Sequence, residues 1–222
     1  GEGGIDTVSY ENATGAVTVD LAAGTASGAD GNDTLSNFEN VIGSAHDDTL
    51  TGDGGANVIE GRGGADTLDG GAGADYLHIL ASQVGNLAAG GVDGGTDGDA
   101  DEVVVEGMSG TFDLGDFRDG SGNARAVNFD ILDLRNDTAG DRVEVSLDDL
   151  AALTSEATGG TEPISIRLDS GDTFTVTDDP TSFDESTTSE TNAKGEEGNL
   201  YQYTDVSDPS TVLAEVHIVT AA

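Results

Sequence analysis

Acidic and amide side chains recur at a fixed interval in the most regular stretch of the sequence. Residues 43–78 divide without a gap into four nonapeptides, GSAHDDTLT, GDGGANVIE, GRGGADTLD and GGAGADYLH. Each begins with glycine and carries an oxygen-bearing side chain at its sixth position: Asp48, Asn57, Asp66 and Asp75. Carboxylates and the backbone carbonyls of glycine-rich turns are oxygen donors, so the pattern predicts sites for a hard cation such as Ca2+.

The rest of each nonapeptide predicts the elements that position these donors. Glycines allow the positive φ angles of a tight turn, and a single large aliphatic at the eighth position indicates a short strand with one inward side chain. Those aliphatics are Leu50, Ile59, Leu68 and Leu77. Two consecutive nonapeptides would form one full coil, with Asp48 facing Asp66 and Asn57 facing Asp75. A flexible acidic linker is the alternative, but a linker has no reason to keep an aliphatic in phase with the acid.

The nonapeptide resembles the repeat of RTX proteins, which form a calcium-binding parallel β-roll. Residue by residue, the resemblance implies one site from the carbonyls of Gly43, Ala45, Arg62 and Gly64 and the carboxylates of Asp48 and Asp66. It implies a second site from Gly52, Gly54, Asn57, Gly71, Gly73 and Asp75. Looser copies of the motif add Asp6, Asp33, Asp99 and Asp101 as metal ligands. Several bound Ca2+ ions are therefore expected.

Two residues depart from the RTX pattern. His46 stands where glycine is usual and is expected to be a tolerated turn residue, since His is among the residue types enriched at positive φ. Asn57 supplies an oxygen without a charge. Both departures are expected to weaken the sites that they touch.

The chain is strongly acidic. Its 222 residues include 44 acidic and seven basic side chains, and the first 101 residues hold 18 acids beside one base, Arg62. Self-repulsion at a formal net charge of -37 opposes compaction, and bound divalent ions relieve it, so folding is expected to wait for calcium. A marine or halophilic source is an alternative origin of the acidity. This charge argues against nucleic acid and membrane surfaces as partners, and no apolar run is long enough for membrane insertion.

Glycine becomes sparse in the second half of the chain, since 23 of the 34 glycines lie in the first 101 residues. We predict an all-β chain with a parallel β-roll over residues 1–106 and a smaller β-rich C-terminal cap over 107–222. Within the roll we expect a strand pair over 10–21, a further repeat over 28–36 and a helical excursion over 80–89. Within the cap we expect a short helix over 147–153, a mobile hairpin loop over 178–199, and strands near 111–114, 128–134, 142–146, 163–168, 173–177, 200–203 and 212–219.

The sequence contains no HExxH, GxSxG or cysteine nucleophile, so no enzyme activity is expected. The phrases FDILDLRND, SIRLDSGDTFTV and VLAEVHIV resemble the C-terminal region of large bacterial adhesins that are exported by type I secretion. This resemblance implies a secreted or cell-surface monomer whose partner is the type I secretion machinery. A calcium-dependent module that binds a polysaccharide or another cell surface stays open, as does an accessory module of a secreted RTX enzyme. The sequence begins inside a repeat, which predicts a longer protein.

Overall fold

Short strands that alternate between sheets build the chain into a β-solenoid. The computed structural model describes residues 2–95, 99–108, 110–119, 121–135, 141–150, 164–170, 172–177, 183–191, 197–205 and 208–220. The earlier strands are β1 (Thr7–Ser9), β2 (Val17–Asp20), β3 (Thr25–Gly28), β4 (Gly31–Thr34), β5 (Asn40–Ile42), β6 (Thr49–Thr51), β7 (Val58–Glu60), β8 (Thr67–Asp69), β9 (Tyr76–Leu80) and β10 (Val92–Asp93). The later strands are β11 (Glu102–Glu106), β12 (Thr111–Asp113), β13 (Ala126–Val127), β14 (Ile131–Asp133), β15 (Arg142–Val145), β16 (Ile164–Leu168), β17 (Thr173–Val176), β18 (Phe183–Thr191), β19 (Glu197–Asp205) and β20 (Asp208–Thr220).

Helical structure in the described residues is short. Two 3-10 helices cover Ala81–Asn86 and Leu114–Phe117, and residues 147–150 form one helical turn. The Ser146 hydroxyl caps that turn by accepting the Asp149 amide at 3.1 Å, as predicted, while residues 151–153 of the predicted helix lie outside the described residues. The predicted excursion over 80–89 is confirmed in a shorter form. Across the described ranges, no helix has the length and apolar character needed to cross a membrane.

The strands form three sheets with mainly parallel pairing, which confirms the all-β, parallel prediction. The ten-stranded sheet has the order β1-β5-β7-β9-β11-β14-β16-β20-β19-β18 and is antiparallel only at its last three strands. The seven-stranded sheet has the order β13-β10-β8-β6-β2-β3-β4, and the three-stranded sheet the order β12-β15-β17. Successive coils therefore stack their strands in register, one coil above the next.

The core of the repeat region is a single column of aliphatic side chains from each sheet. Leu50 pairs in register with Leu68, and Ile59 with Leu77, so each strand meets the strand of the second nonapeptide after it, as predicted. All four are fully buried, because each is the second residue of its strand and points inward while the residues on either side of it point outward. Because each short strand of the repeats contributes only one side chain to the core, the stability of the fold also depends on the contacts within its turns.

The ten-stranded sheet continues across the predicted boundary after Glu106. Strand β11 pairs with β9 on one side and with β14 on the other. Residues that lie in register are 31 positions apart in the later coils (Thr111, Arg142 and Thr173) but 18 apart in the repeats (Leu50 and Leu68). The later coils are therefore longer. Their core is wider and includes buried aromatic rings, Phe112 against Phe117 at 6.2 Å between ring centroids. The division of the chain at residue 106 stays a prediction.

An antiparallel hairpin stands where residues 28–36 were predicted to form a further roll repeat, so that prediction is wrong. Strands β3 and β4 are joined by a two-residue loop with Gly28 opposite Gly31, and a loop this short can only reverse the chain. Thr14 holds the loop by donating its amide and its hydroxyl to Asp30, each at 2.8 Å. The predicted strand pair within residues 10–21 is also wrong, because β2 takes its partners, β3 and β6, from beyond that range.

A second hairpin stands where residues 178–199 were predicted to be a mobile loop. Strand β18 pairs along its length with β19, and β19 pairs with β20. The polar composition of residues 183–191 suggested a loop, but threonine and other β-branched residues favour strands once a partner strand is present. The prediction of a loop is therefore wrong for the described part of this segment.

Candidate metal centre

The glycine-rich hexads of the four nonapeptides form turns that stack in two columns. The turn over 61–66 lies on the turn over 43–48, where the Gly63 amide donates to the Ser44 carbonyl at 3.3 Å. The turn over 70–75 lies on the turn over 52–57, where the Ala72 amide donates to the Asp53 carbonyl at 3.1 Å. The predicted pairing of first with third and second with fourth nonapeptide is confirmed.

The side chain that ends each turn reaches back to the preceding coil. The Asp48 amide donates to Asp66 Oδ1 at 2.9 Å, and the Asn57 amide donates to Asp75 Oδ1 at 2.7 Å. Asp48 Oδ1 in turn accepts the Val17 amide at 2.8 Å. These contacts form a ladder in which each carboxylate clamps two successive coils.

Glycine at the first position of each nonapeptide makes room for the carboxylate. A Cβ added at Gly61 would lie 2.5 Å from Asp66 Oδ2, and one at Gly70 would lie 2.5 Å from Asp75 Oδ2. None of the first-position glycines of the four repeats has a positive φ, so close approach is what requires glycine there. Positive φ angles occur instead at the second and fourth positions of the last two repeats: Arg62, Gly64, Gly71 and Gly73. The predicted positive φ at His46 is wrong, because His46 is not among the residues of the described chain with a positive φ.

The Asp48 and Asp66 carboxylates are buried close to one another. Asp48 is 2% exposed and Asp66 is 4% exposed. Burial raises the pKa of Asp66 to about 7, and the nearby charges of Asp48 and Asp47 add to the rise, although the hydrogen bond from the Asp48 amide opposes it. Among the described residues, neither carboxylate forms an ion pair with a basic side chain. A cation from outside the chain would stabilise the negative charge of this pair.

The donor set between the turns over 43–48 and 61–66 fits Ca2+, since it consists of carboxylate and carbonyl oxygens. No group of three or more carboxylate or imidazole side chains converges anywhere in the described residues. An ion would therefore take most of its ligands from the backbone, as the predicted carbonyls of Gly43, Ala45, Arg62 and Gly64 would allow. These residues would hold the ion, and the ion would supply the positive charge that the site lacks.

The remaining predicted ligands fall in different places. Asp101 is 2% exposed and extends the ladder, because its Oδ1 accepts the Asp75 amide at 2.9 Å. Asp6 precedes β1 and donates its amide to Glu39 Oε2 at 2.8 Å, while Asp99 is exposed. Asp33 lies within β4, where Tyr10 donates its hydroxyl to the carboxylate at 3.1 Å. The repeat assignment that made Asp33 a turn-ending residue is corrected by the hairpin.

Sequence reasoning missed four acidic residues that also clamp one coil to the next, two beside the ten-stranded sheet (Glu39 and Asp130) and two beside the three-stranded sheet (Asp141 and Asp172). Glu39 accepts the Asp6 amide, Asp130 accepts the Asp101 amide at 3.1 Å, Asp141 accepts the Gly110 amide at 2.6 Å, and Asp172 accepts the Asp141 amide at 2.8 Å. For Glu39 and Asp130 the signal was present in the similar phrases NFENVI and NFDILD. In each, an asparagine with positive φ, Asn37 or Asn128, stands two residues before the acid, where Gly64 and Gly73 stand in the regular repeats.

These features define the class: a parallel β-solenoid whose glycine-rich turns end in carboxylates that clamp successive coils. The family model of the RTX calcium-binding nonapeptide repeat matches residues 42–77 in four copies. The stretch is thus a set of four RTX calcium-binding repeats, as its sequence predicted. No curated protein sequence matches the chain significantly. The resemblance of the C-terminal region to adhesins stays a prediction.

Proposed function

We propose that this chain is a calcium-folded module of a large secreted bacterial adhesin, placed towards its C-terminal end. The buried pair Asp48 and Asp66 carries the proposal, because two carboxylates between stacked turns lack a cation from the chain itself. Ca2+ would remove the repulsion between them and bind the carbonyls of both turns. Folding and ion binding would then be one event.

The free energy that calcium binding can supply is large enough to stabilise a fold with so small an apolar core. Extracellular calcium modules bind with a Kd of roughly 10⁻⁴ to 10⁻³ M. At about ten times Kd, each site adds on the order of 1.4 kcal/mol to the free energy of unfolding by mass action. A few such sites rival the whole stability of a typical domain, about 5–15 kcal/mol.

Circular dichroism with and without a chelator tests the proposal. We expect a mostly unfolded repeat region in EGTA and a β-rich spectrum at millimolar Ca2+, with no matching change in Mg2+, which demands a tighter octahedral shell. An Asp48→Asn, Asp66→Asn double variant should require more calcium to fold. Equal structure and equal heat stability in EGTA and in calcium would contradict the proposal.

The cellular part of the proposal follows from the same coupling. RTX repeats occur in secreted bacterial proteins. A chain that stays extended at low cytosolic calcium suits passage through the type I secretion machinery, and binding of Ca2+ outside the cell would oppose its return. We place the folded, monomeric module outside the cell or at its surface, and we assign it no catalytic role. Secretion of the chain fused to its native upstream protein, with and without residues 107–222, tests this placement.

A further inference from the structure

The carboxamide of Asn57 bridges two turns in a way that its carboxylate counterparts do not. Asn57 is 1% exposed and follows the turn over 52–57. Its Nδ2 donates to the Glu39 carbonyl of the preceding coil at 2.7 Å, and its Oδ1 accepts the Asp53 amide at 2.8 Å. The orientation is determined by these partners, because a reversed carboxamide would set oxygen against oxygen at Glu39 and N–H against N–H at Asp53.

The equivalent position in the other column shows the contrast. Asp48 accepts the Ser44 amide of its own turn and the Val17 amide of the preceding coil. Asn57 accepts the amide of its own turn in the same way but presents a donor to the preceding coil. The Glu39 amide, which an aspartate at position 57 could have accepted, donates instead to the Asp6 carbonyl at 3.0 Å.

A donor in this place does not fit a cation. Ca2+ needs several oxygen lone pairs that converge, and the Glu39 carbonyl already receives a hydrogen from Asn57. The carboxamide brings no negative charge to offset the cost of stripping water from the ion. The turns over 35–39 and 52–57 thus lack the donor set found between Asp48 and Asp66.

We infer that Asn57 joins the turns over 35–39 and 52–57 by a hydrogen bond in place of a calcium ion. The column of turns beside the ten-stranded sheet therefore contains one metal-free junction, whereas the junction of Asp48 with Asp66 takes an ion. The inference rests on the proposed function, since it says which junctions of a calcium-folded roll are loaded. It also makes position 57 the residue that excludes the metal there.

Counting bound calcium tests the inference. Equilibrium dialysis against saturating Ca2+, followed by elemental analysis, would compare the wild-type chain with Asn57→Asp and with Asn12→Asp. Asn12 is exposed in a loop, so its variant adds the same charge at a position that does not lie between two stacked turns. We expect one additional ion per chain in Asn57→Asp, where Glu39 would supply a second carboxylate, and none in Asn12→Asp. An unchanged count in a folded Asn57→Asp chain would overturn the inference.

A Glu39→Gln variant gives an independent result if Asn57→Asp fails to fold. Glutamine keeps an oxygen for the Asp6 amide but removes the charge that an ion at this junction would need. We expect the wild-type ion count to persist in Glu39→Gln. An ion lost in Glu39→Gln but kept in Asp6→Asn would show that the junction with Asn57 is loaded and would overturn the inference, because Glu39 also contacts the Asp6 amide. A wild-type chain that binds no calcium would overturn the proposed function together with the contrast drawn here. Calcium binding with an unaltered count in Asn57→Asp would overturn this inference alone.

Discussion

At the scale of single residues, position in the coil determines what a carboxylate does. Asp66 ends a turn and is buried, whereas Asp69 ends a strand and is exposed. We expect Asp66→Ala to raise the calcium concentration needed for folding, because it removes a ligand and leaves the Asp48 amide without its acceptor. Asp69→Ala should leave it unchanged or lower it slightly, because the charges of Asp93 and Asp20 lie nearby. Calcium titrations followed by circular dichroism would compare the two, and equal effects would contradict the assigned register.

Tyr10 gives a prediction for alkaline pH. Burial raises its pKa to about 12, with further rises from the hydrogen bond to Asp33 and from the charge of that carboxylate. A tyrosine whose pKa is higher in the folded state contributes stability below pH 10, and this contribution is lost as the pH rises from about 10 to 12. The difference between the ultraviolet pH titration curves of the wild type and of Tyr10→Phe should isolate the ionisation of Tyr10. Asp33→Asn should move this transition to lower pH. An unshifted transition in Asp33→Asn would contradict the contact.

At the scale of a turn, two glycines of one repeat should respond in opposite ways. A Cβ at Gly52 would collide with the Gly70 carbonyl and the Asn57 carboxamide, whereas a Cβ at Gly54 meets nothing within 4 Å. We expect Gly52→Ala to prevent the coils from stacking. Gly54→Ala should be neutral or stabilising by about 0.4–1 kcal/mol, since alanine restricts the unfolded chain. Thermal unfolding in calcium measures both, and a Gly52→Ala chain as stable as Gly54→Ala would show that the turns are not packed this closely.

The strands of the later coils are joined by a different device, a buried network of opposite charges. Arg167 on β16 pairs with Glu102 on β11 and lies 3.3 Å from Asp133 on β14, and Arg135 pairs with Asp133 at 2.6 Å. Burial opposes ionisation of Asp133, but the hydrogen bonds and charge of Arg135 outweigh it and hold the pKa below its ordinary value. Its contribution is therefore present at neutral pH and lost as the pH falls through that lowered pKa.

Removing one partner of this network should be costly. Arg167→Met leaves two buried carboxylates with less positive charge, and we expect a loss of about 3–5 kcal/mol in urea unfolding at saturating calcium. Arg142→Met is the matched control, because Arg142 and Glu144 form a surface pair with the arginine side chain 52% exposed, worth about 0–1 kcal/mol. Similar losses in both variants would contradict a structural role for the network.

At the scale of the whole molecule, the two halves of the chain differ in how the charge of their acidic side chains is compensated. The first 101 residues hold one base and 18 acids, and under the proposed function they depend on bound calcium, whereas six of the seven bases lie after residue 101. Deleting residues 107–222 would expose the edge of β11 that pairs with β14 and the apolar end of the column. We expect the truncated chain to aggregate or to need more calcium, as measured by size-exclusion chromatography and circular dichroism. A monomeric truncated chain that folds at the calcium concentration of the intact chain would refute this dependence.

The repeat region could be predicted from sequence because its information is local. A period of nine places Leu50, Leu68 and the turn-ending acids in phase, and the stacking of every second nonapeptide follows from that period alone. The oxygen donors Asp48 and Asp66 could be assigned in the same way, since their residue types and spacing already suggest the chemistry. The predicted stacking of these coils is therefore confirmed, and the assignment of the metal ligands stays a prediction.

Features that the nine-residue period does not describe could not be obtained this way. The hairpin of β3 and β4 imitates a repeat in its residue types, and the pairing of β18 with β19 gives strands to a polar segment that looks like a loop. The direction in which Asn57 presents its carboxamide depends on the Glu39 carbonyl of the preceding coil. In each case the residue types alone do not specify the structure, and hydrogen bonds to another strand or coil decide it.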